Sequence, residues 1–225
     1  MKIPLTAHGA PEMCLAAVTA LAGGAVLWTL PAPWHWLALV APLGFLYVLA
    51  FFRDPERRPE VSPPPPGALL SPADGRIDFV GEADEPLLGG KCHKVSIFLS
   101  VFDVHLNRAP LAGRVTKIEY RRGEYLDARR EDCSARNEAN VVVITGRAPD
   151  GTEVPVLLRQ VSGAIARRIV CAVKEGDELS AGERFGMIKF GSRTDICVPA
   201  GRGVEIKVGL GQHVAAGHTL LGLLS

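Results

Sequence analysis

None of the five cysteines (Cys14, Cys92, Cys133, Cys171 and Cys197) stands at C-x-x-C spacing from another, and their number is odd. A disulfide framework and a cysteine zinc site are both disfavoured, and a reducing compartment is expected. The six histidines are just as scattered, with no H-x-x-x-H pair, so no metal is expected. Charge of one sign is missing too. Lys and Arg number 25 against 24 Asp and Glu, a formal net charge of +1, and no long block of like charges occurs. That balance argues against a nucleic-acid partner. Apolar residues are plentiful, at 48%, and the excess is concentrated at the N-terminus.

Residues 13–30 are almost wholly apolar, and residues 34–52 are apolar again with Pro42 inside. Each run is near the minimum of about 17–20 residues that spans a hydrocarbon core. Two such runs with only Pro31 to Pro33 between them predict a helical hairpin rather than a signal peptide. Trp28, Trp34 and Trp36 fall near its tip, where an interfacial belt wants them. Lys2 precedes the first run, and Arg53, Arg57 and Arg58 crowd the end of the second. Both ends are therefore expected on the cytoplasmic side of the cell inner membrane. Residues 1–53 read as a membrane anchor.

From Asp54 to Gly67 the composition turns to charge and proline, including Pro63–Pro66. This stretch, 54–67, reads as a stiff exposed linker to a body at 68–225. In that body short β-type runs are punctuated by Gly, Pro and Asp. They are Arg76–Val80, Lys94–Leu99, Gly113–Tyr120, Asn140–Thr145, Glu153–Val161, Ile169–Val173, Arg184–Ile188, Asp195–Val198, Val204–Val208 and Thr219–Leu223. The spacing predicts a mainly β fold rather than βαβ units. Residues 121–139 are charged and read as a long loop with a helical turn. A weak repeat, Val173–Gly182 echoed by Val208–Gly217, has the form V-x-x-G-x-x-V/L-x-x-G. It resembles the hairpins of biotinyl/lipoyl-like barrel-sandwich-hybrid domains, with glycines permitting tight turns.

Three stretches carry groups suited to chemistry. Ser71-Pro72-Ala73-Asp74-Gly75 sets an acid in a turn. Phe102-Asp103-Val104-His105-Leu106-Asn107-Arg108-Ala109-Pro110 sets an imidazole in an apolar, turn-rich context. Gly191-Ser192 follows the strand-like run Arg184–Phe190 and leads through a short polar step into the next strand. Acid, imidazole and hydroxyl are the parts of an activated nucleophile, and they need only meet in space. Separately each has a plainer use: Asp74 and Gly191-Ser192 as turn formers, His105 as a half-buried hydrogen-bonding residue, Asp103 and Asn107 as caps.

Taken together with their order and flanks, these motifs resemble the phosphatidylserine decarboxylase proenzymes in their short bacterial and archaeal-like form. The likeness runs from Phe51-Phe52-Arg53-Asp54-Pro55 almost to the C-terminus. It takes in S-P-A-D-G (71–75), F-D-V-H-L-N-R-A-P (102–110), N-E-A-N (137–140), A-R-R-I-V (166–170) and the long block 176–195. Arg193 stands where the family often has a hydroxyl residue. Phe102 stands where other branches carry a second histidine, and Ala139 where an arginine is common.

The resemblance implies a carboxy-lyase that makes its own cofactor. Asp74 would orient His105, His105 would take the Ser192 proton, and Ser192 would attack the Gly191 carbonyl. Elimination from the resulting ester would leave chains 1–191 and 192–225, the smaller capped by a pyruvoyl group derived from Ser192. That group is an electron sink for loss of CO₂. The implied partners are phosphatidylserine, a membrane, the cleaved small chain and a second copy in a homodimer. Arg108, Arg167 and Arg168 are candidates for the lipid phosphate. Two other classes compete. A membrane-anchored biotinyl/lipoyl-like carrier would want a modifiable lysine at a hairpin tip, for which Lys189 is the candidate. A serine hydrolase would need Ser192 intact.

Overall fold

The computed structural model describes residues 5–31, 40–130, 132–164, 168–189 and 192–225. The chain forms two compact units, Met1–Glu56 and Arg57–Ser225.

In the first unit, helix α1 (Ala10–Trp28) takes Pro11 and Glu12 into its first turn. Proline's missing N–H is harmless there, and a carboxylate suits the positive end of the helix dipole. Residues Ala7–Trp28 make a helical stretch of 22 residues with mean hydropathy 1.6, long and apolar enough to cross a membrane. The described part of the second apolar run is α2 (Val40–Phe51), roughly 18 Å of helix. Trp34 and Trp36 lie outside the described residues. The ends of the unit are tied by the Thr6 N–H, which donates to the Phe52 carbonyl at 3.0 Å.

The second unit is mainly β. In chain order its strands are β1 (Ala68–Leu70), β2 (Gly75–Glu85), β3 (Gly90–Leu99), β4 (Leu106–Arg108), β5 (Gly113–Arg121), β6 (Ala139–Arg147) and β7 (Glu153–Val161). Then follow β8 (Arg168–Cys171), β9 (Glu178–Leu179), β10 (Arg184–Lys189), β11 (Ser192–Pro199), β12 (Val204–Ile206), β13 (His213–Val214) and β14 (Leu220–Leu224). A one-turn helix, α3 (Cys133–Arg136), interrupts the charged loop between β5 and β6. Eight strands form one antiparallel sheet in the order β13-β2-β3-β11-β7-β6-β5-β9. Two three-stranded sheets, β1-β14-β12 and β4-β10-β8, complete the body. The core is shared by all three: Ile77, Ile97, Ile144, Leu158 and Ile196 come from the large sheet, and Leu69, Phe185 and Leu221 from the small ones.

The repeated hairpins are equivalent in backbone as well as in sequence. Gly176 and Gly211 have φ of 94° and 81°, and Gly182 and Gly217 have 79° and 67°. These left-handed conformations favour glycine. The strands around them correspond as well. β9 pairs with β5 as β13 pairs with β2, and β10 pairs with β4 as β14 pairs with β1.

The proline-rich stretch does not run free throughout. The Glu60 N–H donates to the His218 carbonyl at 3.0 Å, and the Glu60 carboxylate accepts the Leu220 N–H at 2.8 Å. Residues 57–60 thus lie along the turn that precedes β14.

Candidate active site

Strand β11 lies between β3 and β7 in the middle of the large sheet. From Ser192 to Val198 every residue is buried, although its first four side chains are polar or charged. The sequence suggested a turn and a polar step here. The chain is instead extended from Ser192 onward, and alternation sends Ser192, Thr194, Ile196 and Val198 to the core face and Arg193, Asp195 and Cys197 to the other. Each polar side chain must then find a partner or stand unsatisfied.

Three segments meet at the start of this strand. Ser192 is the register partner of Leu99 on β3, and Phe98 pairs with both Arg193 and Arg76. Asp74 immediately precedes β2, so its loop lies two strands from Ser192, about 10 Å across the sheet. Gly75 makes that approach feasible. Its φ is 148°, and a Cβ there would fall 2.2 Å from the Phe98 carbonyl oxygen. His105, fully buried, precedes β4, and its carbonyl accepts the Ile188 N–H at 3.2 Å. It therefore flanks β10 just before the Gly191-Ser192 step. Phe190 and Gly191 lie outside the described residues.

The His105 Nδ1 is 3.0 Å from the Asp103 carbonyl oxygen. A carbonyl only accepts, so Nδ1 carries the proton and Nε2 is left as the basic nitrogen. Asp103 itself is a turn residue, its carboxylate accepting from the Ser100 N–H and hydroxyl at 2.8 and 2.7 Å. Asp74 is held from two sides. Its Oδ2 pairs with Arg57 at 2.7 Å, and its Oδ1 accepts the Ala216 N–H at 2.8 Å.

A chain of buried amides joins these segments on the core face. Asn140 donates to Gln160 Oε1 at 2.9 Å. Gln160 donates to Asn107 Oδ1 at 2.8 Å. Asn107 Nδ2 donates to the Thr194 hydroxyl at 3.0 Å and reaches the Pro72 carbonyl at 3.4 Å. Asn107, Gln160 and Thr194 are completely buried. Asn107 thus touches the Asp74 loop and the Ser192 strand at once. The Ser192 hydroxyl stands outside this amide chain. It is completely buried and has no hydrogen-bond partner among the described residues.

The opposite face of β11 is a row of charges. Asp195, wholly buried, pairs with Lys94 at 2.9 Å. Burial, the largest single influence, pushes its carboxyl up, but Lys94, the Ser96 hydroxyl and Arg193 together outweigh this and hold the group below its ordinary value. Arg193 pairs with Asp78, the extra residue where the register of β2 against β3 shifts between Ile77 and Phe79. A bulge of this kind re-aims a side chain. Burial raises the Asp78 carboxyl, and Arg193 offsets part of that rise. Arg159 pairs with Glu85 at 2.6 Å.

With this arrangement in view, the comparisons with known proteins are decisive. The family model for phosphatidylserine decarboxylase matches residues 45–222. The chain belongs to the phosphatidylserine decarboxylase family. A phosphatidylserine decarboxylase proenzyme of Geobacter sulfurreducens is 42% identical over 222 residues, covering 98% of this chain and 97% of that protein. Proenzymes of the same name from Trichlorobacter lovleyi and Cupriavidus pinatubonensis are each 45% identical, over 204 and 186 residues. They cover 89% and 83% of this chain, and 87% and 82% of their own lengths.

Several decarboxylase-family residues take places that the sequence alone did not reveal. Arg108 is buried and donates to the Gly182 carbonyl at 3.0 Å, so it braces a turn rather than facing a lipid phosphate. Arg168 is exposed on β8, and Arg167 is outside the described residues. Lys189 is buried at the end of β10, not displayed at a hairpin tip as a carrier lysine would be. Asn107 is a buried junction and not a cap. Gln160, Thr194, Lys94 and Asp78 carry no site motif of their own, and Arg57, in sequence a charge flanking the second apolar run, pairs with Asp74. The available signal was a strand placed in the middle of a sheet and yet spelled Ser-Arg-Thr-Asp.

Proposed function

We propose that this chain is made as a precursor, cuts itself between Gly191 and Ser192, and then removes CO₂ from phosphatidylserine to leave phosphatidylethanolamine. The observation that carries the reading is the Ser192 hydroxyl, buried in a central strand without a hydrogen-bond partner among the described residues. Leaving such a group unsatisfied costs about 1–3 kcal/mol, while the Thr194 hydroxyl two residues on accepts from Asn107. The Ser162 hydroxyl is buried and unpartnered too among the described residues. What sets Ser192 apart is its place directly after Gly191, at the head of a central strand and near the segment that carries His105.

His105, with Nδ1 donating to Asp103, offers Nε2 as the base that takes the Ser192 proton. The freed oxygen attacks the Gly191 carbonyl carbon and the peptide C–N bond breaks, giving an ester and a free amine at residue 192. Removal of the Cα proton then expels the Gly191 carboxylate. Water replaces the amine nitrogen, which leaves as ammonia. Asp74, fixed by Arg57 and Ala216, supplies negative charge at this corner, and the amide chain through Asn107 keeps its loop in register with β11.

Ser192 fits the pyruvoyl group, since a cut before it would leave residue 192 as a buried chain terminus at the head of a central strand. When formed, that group supplies the sink for the electron pair released with CO₂. Apolar neighbours, Leu99 among them, keep bulk water from residue 192, while a single water molecule suffices to release the ammonia. The apolar N-terminal helix supports a site at a membrane, where the lipid substrate resides, and the basic residues that flank the apolar runs favour the cytoplasmic side of the inner membrane for the body. A serine hydrolase would need Ser192 intact in the mature protein, whereas the decarboxylase consumes it, and chain mass separates the two.

Intact mass and denaturing electrophoresis of the purified wild-type protein beside Ser192→Ala test the reading. Two chains meeting at Gly191/Ser192, the smaller with a borohydride-reducible carbonyl, are expected, and one uncut chain in the variant. A single full-length wild-type chain would overturn it.

A further inference from the structure

On the outer face of the large sheet, Arg76 and Phe98 are direct register partners. They floor an open groove of about 490 Å³ that Asp78, Arg129 and Leu210 help to enclose. A second hollow of about 270 Å³ shares Phe98 and Arg129 with it and continues over Leu99, Ser100 and Val101. Leu99 is the register partner of Ser192. The groove therefore begins at Arg76 on the outer face and ends over Leu99, the strand position opposite residue 192.

Two features of this groove are out of keeping with a surface that meets only water. Leu210, between two glycines and lining the first hollow, is 70% exposed, and Phe102, which follows the lining residue Val101 in the chain, is 73% exposed. The charges are also unevenly matched. Arg129 is held by Asp127 through paired hydrogen bonds, and Arg193 by Asp78. Arg76 makes no ion pair among the described residues, and the Gly211 backbone lies close against its guanidinium. A guanidinium without a carboxylate partner, between apolar tips, is suited to a phosphate diester at an apolar surface.

Building on the decarboxylase reading, we propose that this groove draws one anionic glycerophospholipid out of the membrane surface. The lipid phosphate meets Arg76. The headgroup runs over Phe98 toward residue 192, and Leu210 and Phe102 dip into the acyl layer. Charge complementarity and the two exposed apolar tips select a lipid over a soluble acid. The few bonds between amine and phosphate in a phosphoserine headgroup, added to the reach of an arginine, suit the two-strand separation of Arg76 from Ser192.

The test uses full-length protein and rates expressed per cleaved chain. Arg76→Gln should raise KM about tenfold, with kcat little changed, for both a short-chain monomeric phosphatidylserine and vesicles of phosphatidylserine in phosphatidylcholine. Leu210→Asp should raise KM for the vesicles alone. Unchanged KM in Arg76→Gln on both substrates would overturn the proposal, and so would equal effects of Leu210→Asp on the two. A phosphatidylserine bearing a photoreactive group near its glycerol provides a readout that needs no catalysis. Labelling of residues 98–103 or 207–213 supports the groove, and labelling confined to residues 1–56 overturns it. Groove labelling in a wild-type chain that never cleaves would leave the groove standing while the decarboxylase reading falls.

Discussion

The side-chain amide of Asn107 donates to the Thr194 hydroxyl at 3.0 Å across 87 residues of sequence, and the same nitrogen reaches the Pro72 carbonyl. One side chain therefore sets the spacing between the loop of Asp74 and the strand that begins at Ser192. Asn107→Leu should slow self-cleavage at least tenfold in molecules that still fold, because a shift of about 1 Å at a reacting pair costs that much or more. Pulse-chase timing of chain splitting, beside the thermal midpoint, separates the two effects. A normal cleavage rate with only a lowered midpoint would make Asn107 a structural residue alone.

Gly75→Ala should be more severe. Its positive φ and the 2.2 Å approach to the Phe98 carbonyl force either strain or a displaced Asp74 loop, a cost of order 1–3 kcal/mol for the backbone alone. The expected result is a poorly cleaved precursor, read on a denaturing gel. Full processing at the wild-type rate would show that the loop has slack.

The Lys94–Asp195 pair makes an acid-sensitive prediction. Folding lowers the proton affinity of Asp195 below that of an unfolded aspartate, which titrates near about 3.9. Its contribution is therefore complete above that pH and drains away as the pH falls through the lower folded-state value. Urea unfolding of the uncut Ser192→Ala chain in detergent should show stability falling more steeply below about pH 4 than in Ser192→Ala/Asp195→Asn. Lys94→Met, which leaves the carboxylate buried and alone, should cost about 3–5 kcal/mol at neutral pH. Parallel acid limbs would remove Asp195 from the account.

Thiol labelling checks the packing. Cys14 is exposed, and Cys92, Cys133 and Cys197 are buried. Burial pushes the Cys133 thiol up, which further slows its reaction as thiolate. Modification of the buried three only after denaturant is added is the expected result, while Cys14, bare on the apolar helix itself, is shielded by membrane or detergent. Early labelling of Cys197 would mean that β11 is not locked between β3 and β7.

The parts of the fold that sequence made legible are those with a local pattern. Short runs punctuated by Gly, Pro and Asp located β3, β5, β6, β7, β8, β10, β12 and β14 and the start of β2, and the glycine repeat located both hairpins. Strands β1, β4, β9 and β13 have two or three residues each, too few for any period to register. The start of β11 was missed for another reason. Ser192 to Asp195 is as polar as a turn, and only distant partners (Asp78, Asn107 and Lys94) make it tolerable inside a sheet. The amide chain was hidden likewise: Asn107, Asn140 and Gln160 have no mutual spacing to read, since the sheet alone brings them together. Motif order pointed to Asp74, His105 and Ser192, whereas the Asp103 carbonyl at the His105 Nδ1 depends on a turn that no pattern announces.

The central place of β11 has a consequence for the history of each molecule. A cut before Ser192 would leave a 34-residue piece still woven through its parent, with β11 between β3 and β7, β13 against β2, and β14 between β1 and β12. Nothing need separate, because the ladders on either side remain complete. Once such a molecule unravels, however, its two pieces must find each other by diffusion, and the covalent link that first threaded them together is gone. The mature form would then be reached by way of the precursor and not regained from its parts, so its lifetime would be set by how slowly it opens rather than by a reversible balance.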